Sequence, residues 1–195
     1  DLESGLETQV TTDGERNKII NGATDWVYEE EFGKDNGIFW SPDGKFLAFY
    51  RFDESGVKEF SMPMYGQLYP EPYTFKYPKA GEDNAKVNVF VFNTETGRTL
   101  SVLNSETEYI PRVKWGVNSE QLVLMTMNRH QSEMGILIGD CTAANAAGVM
   151  MKEVWTESCN TYIDITDDIR FVNAGKAFIL TSERDGYNHL YQFNA

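Results

Sequence analysis

Strand-length apolar runs recur along this chain at short intervals, separated by tight-turn signals, and that rhythm constrains the fold more than any other feature. Gly37–Ser41 (GIFWS) leads through Pro42-Asp43-Gly44 into Lys45–Asp53 (KFLAFYRFD). An Asp-Gly pair between aromatic runs predicts a hairpin, because glycine accepts the positive φ that such turns demand. Lys86–Thr94 (KVNVFVFNT) and Arg98–Leu103 (RTLSVL) follow, joined by Glu95-Thr96-Gly97. Val87, Val89 and Val91 alternate onto one face, and Phe90 and Phe92 share the other with Asn88. Apolar residues on both faces predict sheets stacked against neighbours on each side. Tyr109–Gly116, Gln121–Arg129, Met134–Thr142 and Met150–Ser158 form a second cycle, and Asp168–Asn173, Lys176–Arg184 and Tyr187–Asn194 begin a third. Two four-stranded units and three strands of another predict an all-β partial β-propeller of about three blades. A β-sandwich is the alternative that spacing alone leaves open. The units divide as 37–103, 104–160 and an incomplete 161–195, with 1–36 holding the end of a preceding blade. In that leading stretch Thr8–Thr12 reads as an outer strand.

Composition narrows the partners. With 41% hydrophobic and 13% aromatic residues, the chain can build a packed core. A net charge of −13 argues against nucleic acid and against anionic membrane surfaces, both of which need clustered Lys and Arg. The apolar runs are strand-sized, far below the ~18 residues of a spanning helix. The lack of an initiator Met and the abrupt close on Asn194 and Ala195 predict an excised segment. Cys141 and Cys159 are expected as unpaired, partly buried thiols in preference to a disulfide, and neither CxxC nor paired-His spacing predicts a metal. No phosphate loop, EF-hand loop or GxSxG elbow is present, so neither a cofactor nor a catalytic residue is expected here. His130 and His189 read as structural.

Two segments break the rhythm. Glu59–Asn84 is a long insertion within the first unit, with Pro63, Pro70, Pro72 and Pro78 and several tyrosines. Connections of such length usually carry a function or an interaction. Thr24–Phe32 (TDWVYEEEF) has too few β-branched residues for a strand and predicts a short helix capped by Thr24 or Asp25. Its run Asp25-Trp26-Val27-Tyr28-Glu29-Glu30-Glu31 reads either as an acidic, solvated face or as a ligand site. Adjacent carboxylates beside Trp26 and Tyr28 suit an ammonium group, which offers three donors for charge-assisted bonds and would be held protonated.

Asn21-Gly22 with DWVYEEEF, then WSPDGKFLAF, Tyr77–Gly81 (YPKAG) and Ser182–Tyr191 (SERDGYNHLY), closely resembles the propeller of the dipeptidyl peptidase IV branch of the prolyl oligopeptidase family. WSPDGK is common to many propellers, whereas the DWVYEEE run is far more specific. The resemblance implies an eight-bladed propeller capping an α/β-hydrolase domain of the same chain, and a serine exopeptidase that releases Xaa-Pro or Xaa-Ala dipeptides. It implies that Glu30 and Glu31 bind the free amino terminus of peptide substrates, with Glu29 structural and Asp25, Trp26 and Tyr28 supporting. Fixing the amino terminus would present only the second peptide bond to the nucleophile. The triad and the proline pocket would lie in the hydrolase domain, so this segment alone is expected to be inactive. The inserted arm would pack on a second subunit through Tyr65, Leu68, Tyr69, Tyr73 and Phe75, giving a homodimer; the other reading folds the arm over its own blade. A periplasmic or secreted location follows by the same resemblance. A non-enzymatic interaction scaffold and a tripeptidyl peptidase are the competing readings; a nucleophile elbow after Ala195 would support the peptidase, and its absence the scaffold. Open strand edges at both ends are expected to pair between copies.

Overall fold

The computed structural model describes residues 2–103 and 107–195. The first unit contains β1 (Ile19–Asn21), α1 (Trp26–Phe32), β2 (Ile38–Trp40), β3 (Phe46–Asp53), the arm strands β4 (Glu59–Met64) and β5 (Glu71–Lys76), then β6 (Lys86–Asn93) and β7 (Arg98–Leu103). The second contains β8 (Tyr109–Trp115), β9 (Gln121–Met127), β10 (Glu133–Asp140) and β11 (Val149–Ser158). β12 (Arg170–Val172), β13 (Ala177–Ser182) and β14 (His189–Asn194) make the third. Apart from the arm and β1, which pairs with β3 and not with β2, each strand pairs antiparallel with the next in its unit. Such meanders are the pattern of propeller blades, whereas a sandwich would send successive strands between two sheets. The fold is mostly β, as the turn rhythm predicts. A feature absent from that reading is a two-residue parallel link, Val102 opposite Val149 and Leu103 opposite Met150, which joins the outer strands of the first two units. The expected boundary at 103/104 falls at the end of β7, and residues 104–106 beyond it lie outside the described set.

Local chemistry explains the turns. Ser41 Oγ donates to Asp43 Oδ1 (2.8 Å) and accepts from the Phe46 amide (2.9 Å), and Gly44 takes φ 74°. In the second unit Asn118 takes the place of Asp43, accepting from the Glu120 and Gln121 amides. The β3–β6 register sets Phe52 opposite Val87, Tyr50 opposite Val89 and Ala48 opposite Val91, all buried on one face. On the other face Phe49 stacks on Phe90 at 5.9 Å. In β9 both faces are buried, Leu122 to Met127 without interruption, because the second unit lies between the other two. At the β2–β8 contact, Trp115 Nε1 donates to the Phe39 carbonyl at 3.0 Å.

Two sequence expectations need correction. Residues 8–12 carry no strand: β-branched composition makes a strand only where a ladder partner lies alongside, and none of the described residues pairs with them. The inserted arm, whose internal structure the sequence leaves open, is a hairpin of β4 and β5. Pro63 opposes Pro72, a non-hydrogen-bonded position where neither missing N–H is asked of the ladder. Both cysteines are free, as expected, but only Cys141 is buried, its thiol pushed up to about 12 by burial; Cys159 is exposed.

Candidate functional site

The first strand of the first unit is composite. β1 pairs with β3 from Ile19–Asp53 to Asn21–Arg51, and β2 resumes on the same edge from Ile38–Phe49 to Trp40–Leu47. Between them the Gly22 amide donates to the Tyr50 carbonyl and the Tyr50 amide to the Gly37 carbonyl, both at 2.9 Å. Residues 23–36 are therefore an excursion from one continuous ladder, pinched shut at its base by the Gly37 amide on the Gly22 carbonyl at 3.2 Å. A Cβ on Gly37 would lie 2.8 Å from the Ala23 carbonyl oxygen, so the crossing requires glycine.

The excursion carries α1. Asp25 caps it, accepting from the Tyr28 amide at 3.0 Å, and Gly33 ends it in the left-handed conformation (φ 59°). Of the two caps the sequence offered, Asp25 is the one used; Thr24 instead donates its hydroxyl to the Lys34 carbonyl. Burial pushes the Asp25 carboxyl up to about 6, with Glu54 and Glu29 adding to the rise. Tyr28 and Phe32, four residues apart on one face, are both buried. The Tyr28 ring meets Phe52 edge-on at 4.7 Å and Phe32 at 5.0 Å, and its hydroxyl accepts from the Ile110 amide at 2.7 Å. Tyr50 donates its hydroxyl to the Ile110 carbonyl at 2.5 Å. Ile110 sits where β8 bulges away from β9, so two tyrosines of the first unit satisfy a backbone that its own ladder leaves open. Arg112 closes the far end, donating to the Phe32 carbonyl and, through Nε, to Asp167 at 2.8 Å. Trp26 packs on Tyr77, at the base of the arm, at 4.3 Å.

With Tyr28 and Phe32 inward, Glu29, Glu30 and Glu31 fan over the exposed side of the helix. No cation lies in ion-pair range of any of the three among the described residues. Glu30 has no side-chain partner there, whereas Glu31 accepts a 2.6 Å hydrogen bond from Gln131 of the second unit. That contact joins residues far apart in sequence, and no short-range signal announces it. The expected arm residues Tyr65, Leu68, Tyr69 and Tyr73 are exposed, Leu68 at 90%, while Phe75 is half-buried between Phe60 and Tyr77. The tip thus does not fold back on its own blade. His130 and His189 are both exposed, and among the described residues no group of His, Cys, Asp and Glu could hold a metal. Among the described residues no helix is long and apolar enough to cross a membrane.

Comparison with known proteins fits this architecture. Dipeptidyl peptidase 4 of Porphyromonas gingivalis superposes with a TM-score of 0.87 at 41% identity, over 98% of this chain and 27% of that one. A putative dipeptidyl aminopeptidase IV from Bacteroides ovatus gives 0.81 at 32% identity, over 96% of this chain and 26% of that one. Dipeptidyl aminopeptidase B of Saccharomyces cerevisiae is 33% identical over 94% of this chain and 24% of its own length. The chain spans about a quarter of the length of these relatives. The family described as the dipeptidyl peptidase IV (DPP IV) N-terminal region matches residues 1–195, and the chain belongs to that family.

Proposed function

We propose that this chain is the substrate-recognition part of a serine dipeptidyl peptidase and that Glu30 and Glu31 bind the ammonium group of the peptide's free amino terminus. The observation that carries the reading is a row of three exposed carboxylates with no cation in ion-pair range among the described residues, on a helix whose other face is anchored by Tyr28 and Phe32. A solvated acidic face needs no such anchoring, whereas a clamp does: carboxylates bind tightly only when their positions are fixed before the ligand arrives. Glu29, on the Asp25 side of the helix, is assigned a structural role. The surface around Glu30 and Glu31 is open. A cleft between the second and third units is walled by Glu157, Tyr162, Asp168 and Arg184, and neither glutamate lines it. A closing wall from an α/β-hydrolase domain of the same protein supplies what this surface lacks, and the Ser, Asp and His of the reaction belong there. Release of Xaa-Pro and Xaa-Ala dipeptides, a periplasmic or secreted location, and a homodimer built through Tyr65, Leu68, Tyr69, Tyr73 and Phe75 complete the proposal.

The test is made on the full-length protein that carries this chain, with a chromogenic Gly-Pro substrate. Glu30→Gln and Glu31→Gln should each lower kcat/KM by about tenfold or more, as expected for losing a charge-assisted hydrogen bond. Unchanged kinetics in both variants would reduce the acidic run to a solvated helix face and favour an interaction scaffold.

A further inference from the structure

Gln131 combines three features that a turn residue seldom shows together. Its backbone is left-handed at φ 52°, a conformation costly for a side chain with a Cβ. The residue is 7% exposed, and its amide oxygen is buried without a hydrogen-bond partner among the described residues. Its amide nitrogen donates to Glu31 Oε1 at 2.6 Å; a carboxylate only accepts, so the NH₂ end must face it. The turn is rigid. Asn128 accepts the Gln131 amide on its carbonyl and the Ser132 amide on its side chain, and the Gln131 carbonyl accepts from Ile163 at 2.9 Å. A strained backbone and an orphaned acceptor are retained around one bond, and that bond ends on an exposed carboxylate.

We infer that Gln131 is a positioning residue for the ammonium clamp: it fixes the Glu31 carboxylate by Oε1 and leaves Oε2 directed to the peptide amine. The inference rests on the clamp reading of Glu30 and Glu31. An amide suits the task better than Lys or Arg, because it orients the carboxylate without cancelling the charge that attracts the ligand. The contact also spans the first and second units, so the clamp holds its geometry only while α1 and the β9–β10 turn keep their relative placement.

The experiment compares Gln131→Met, Gln131→Glu, Glu30→Gln and Glu31→Gln in the full-length protein on Gly-Pro p-nitroanilide. Gln131→Met keeps the length and removes the donor. It should raise KM about tenfold to a hundredfold, the range carried by a hydrogen bond to a charged group, with a smaller change in kcat and an unchanged melting temperature. Gln131→Glu sets two carboxylates against each other, so its activity relative to wild type should recover as pH falls from 8 to 5 and the pair takes up a proton. That pH-dependent recovery also serves if the Met variant fails to fold, since a merely structural role would not produce it. Wild-type KM in Gln131→Met, or a flat relative pH profile in Gln131→Glu, beside impaired Glu30→Gln and Glu31→Gln, overturns the positioning role and leaves the clamp. Unimpaired glutamate variants overturn both.

Discussion

Replacing Tyr28 by Phe removes one oxygen and keeps the ring. The edge contacts with Phe52 at 4.7 Å and Phe32 at 5.0 Å survive, so the apolar contribution is nearly unchanged. What is lost is the acceptor for the Ile110 amide, at a residue that is 0% exposed and that β9 does not pair. A buried donor left without a partner costs roughly 1–3 kcal/mol. Each ~1.4 kcal/mol of local opening is a tenfold change in amide exchange, so protection at Ile110 should fall about fivefold to a hundredfold. Tyr50→Phe orphans the carbonyl of the same residue and should cost less, because under-satisfied carbonyls are better tolerated than orphaned N–H groups. Hydrogen exchange resolved to residues 107–115 reads both variants. If Ile110 exchanges at the wild-type rate in Tyr28→Phe, the tyrosine is only filling space and the account of how α1 is anchored fails.

Three further substitutions probe the same scaffold. Gly37→Ala forces a Cβ to within 2.8 Å of the Ala23 carbonyl oxygen and should cost about 1–3 kcal/mol, read as a drop in melting temperature; a neutral variant would mean the crossing is not tight. The Asp25 carboxyl is raised to about 6 in the folded state, so the stability it contributes is present below about pH 4 and lost as pH rises through 6. Asp25→Asn keeps the cap and should flatten that part of the denaturation midpoint's pH dependence, by up to about 1.4 kcal/mol per pH unit, while buried Glu54, also raised, still adds a slope of the same sign. Arg184 pairs with Glu157 at 2.7 Å while its guanidinium lies 4.9 Å from the Phe193 ring and 5.4 Å from Trp155. Arg184→Lys loses the planar stack and should loosen the joint between the second and third units by about 1 kcal/mol, with a change in Trp155 fluorescence; an unaltered spectrum and midpoint would refute the stacking role.

How far the chain could be read in advance follows from the distance over which each signal acts. The Asp43-Gly44 turn, the valine face of β6 and the helix capped at Asp25 all arise within a few residues, and each stands where local chemistry puts it. The arm's ladder was hidden because Pro63 and Pro72 discourage strands one at a time, and only their pairing makes both harmless. The split first strand was hidden because Asn21 and Ile38 share an edge only through β3, which follows them in sequence. At the candidate site the glutamates announced themselves by charge and number. Gln131 did not, since a polar residue in a turn is unremarkable until the fold sets it 2.6 Å from a helix in the neighbouring unit.

The excursion at residues 23–36 has two attachments of different kinds. In strand pairing it is detachable: a chain passing straight from Gly22 to Ile38 would still run along one edge of β3. In its contacts with the core and the second unit it is not, because Tyr28 packs on Phe52, Phe32 packs on Tyr109 and the Tyr28 hydroxyl accepts from the Ile110 amide. A surface loop can change freely in sequence and length, but this one is also a piece of the interior. Substitutions deep between the first two units will therefore be felt at the carboxylates, and the helix cannot be reshaped for another ligand without recutting the core beneath it.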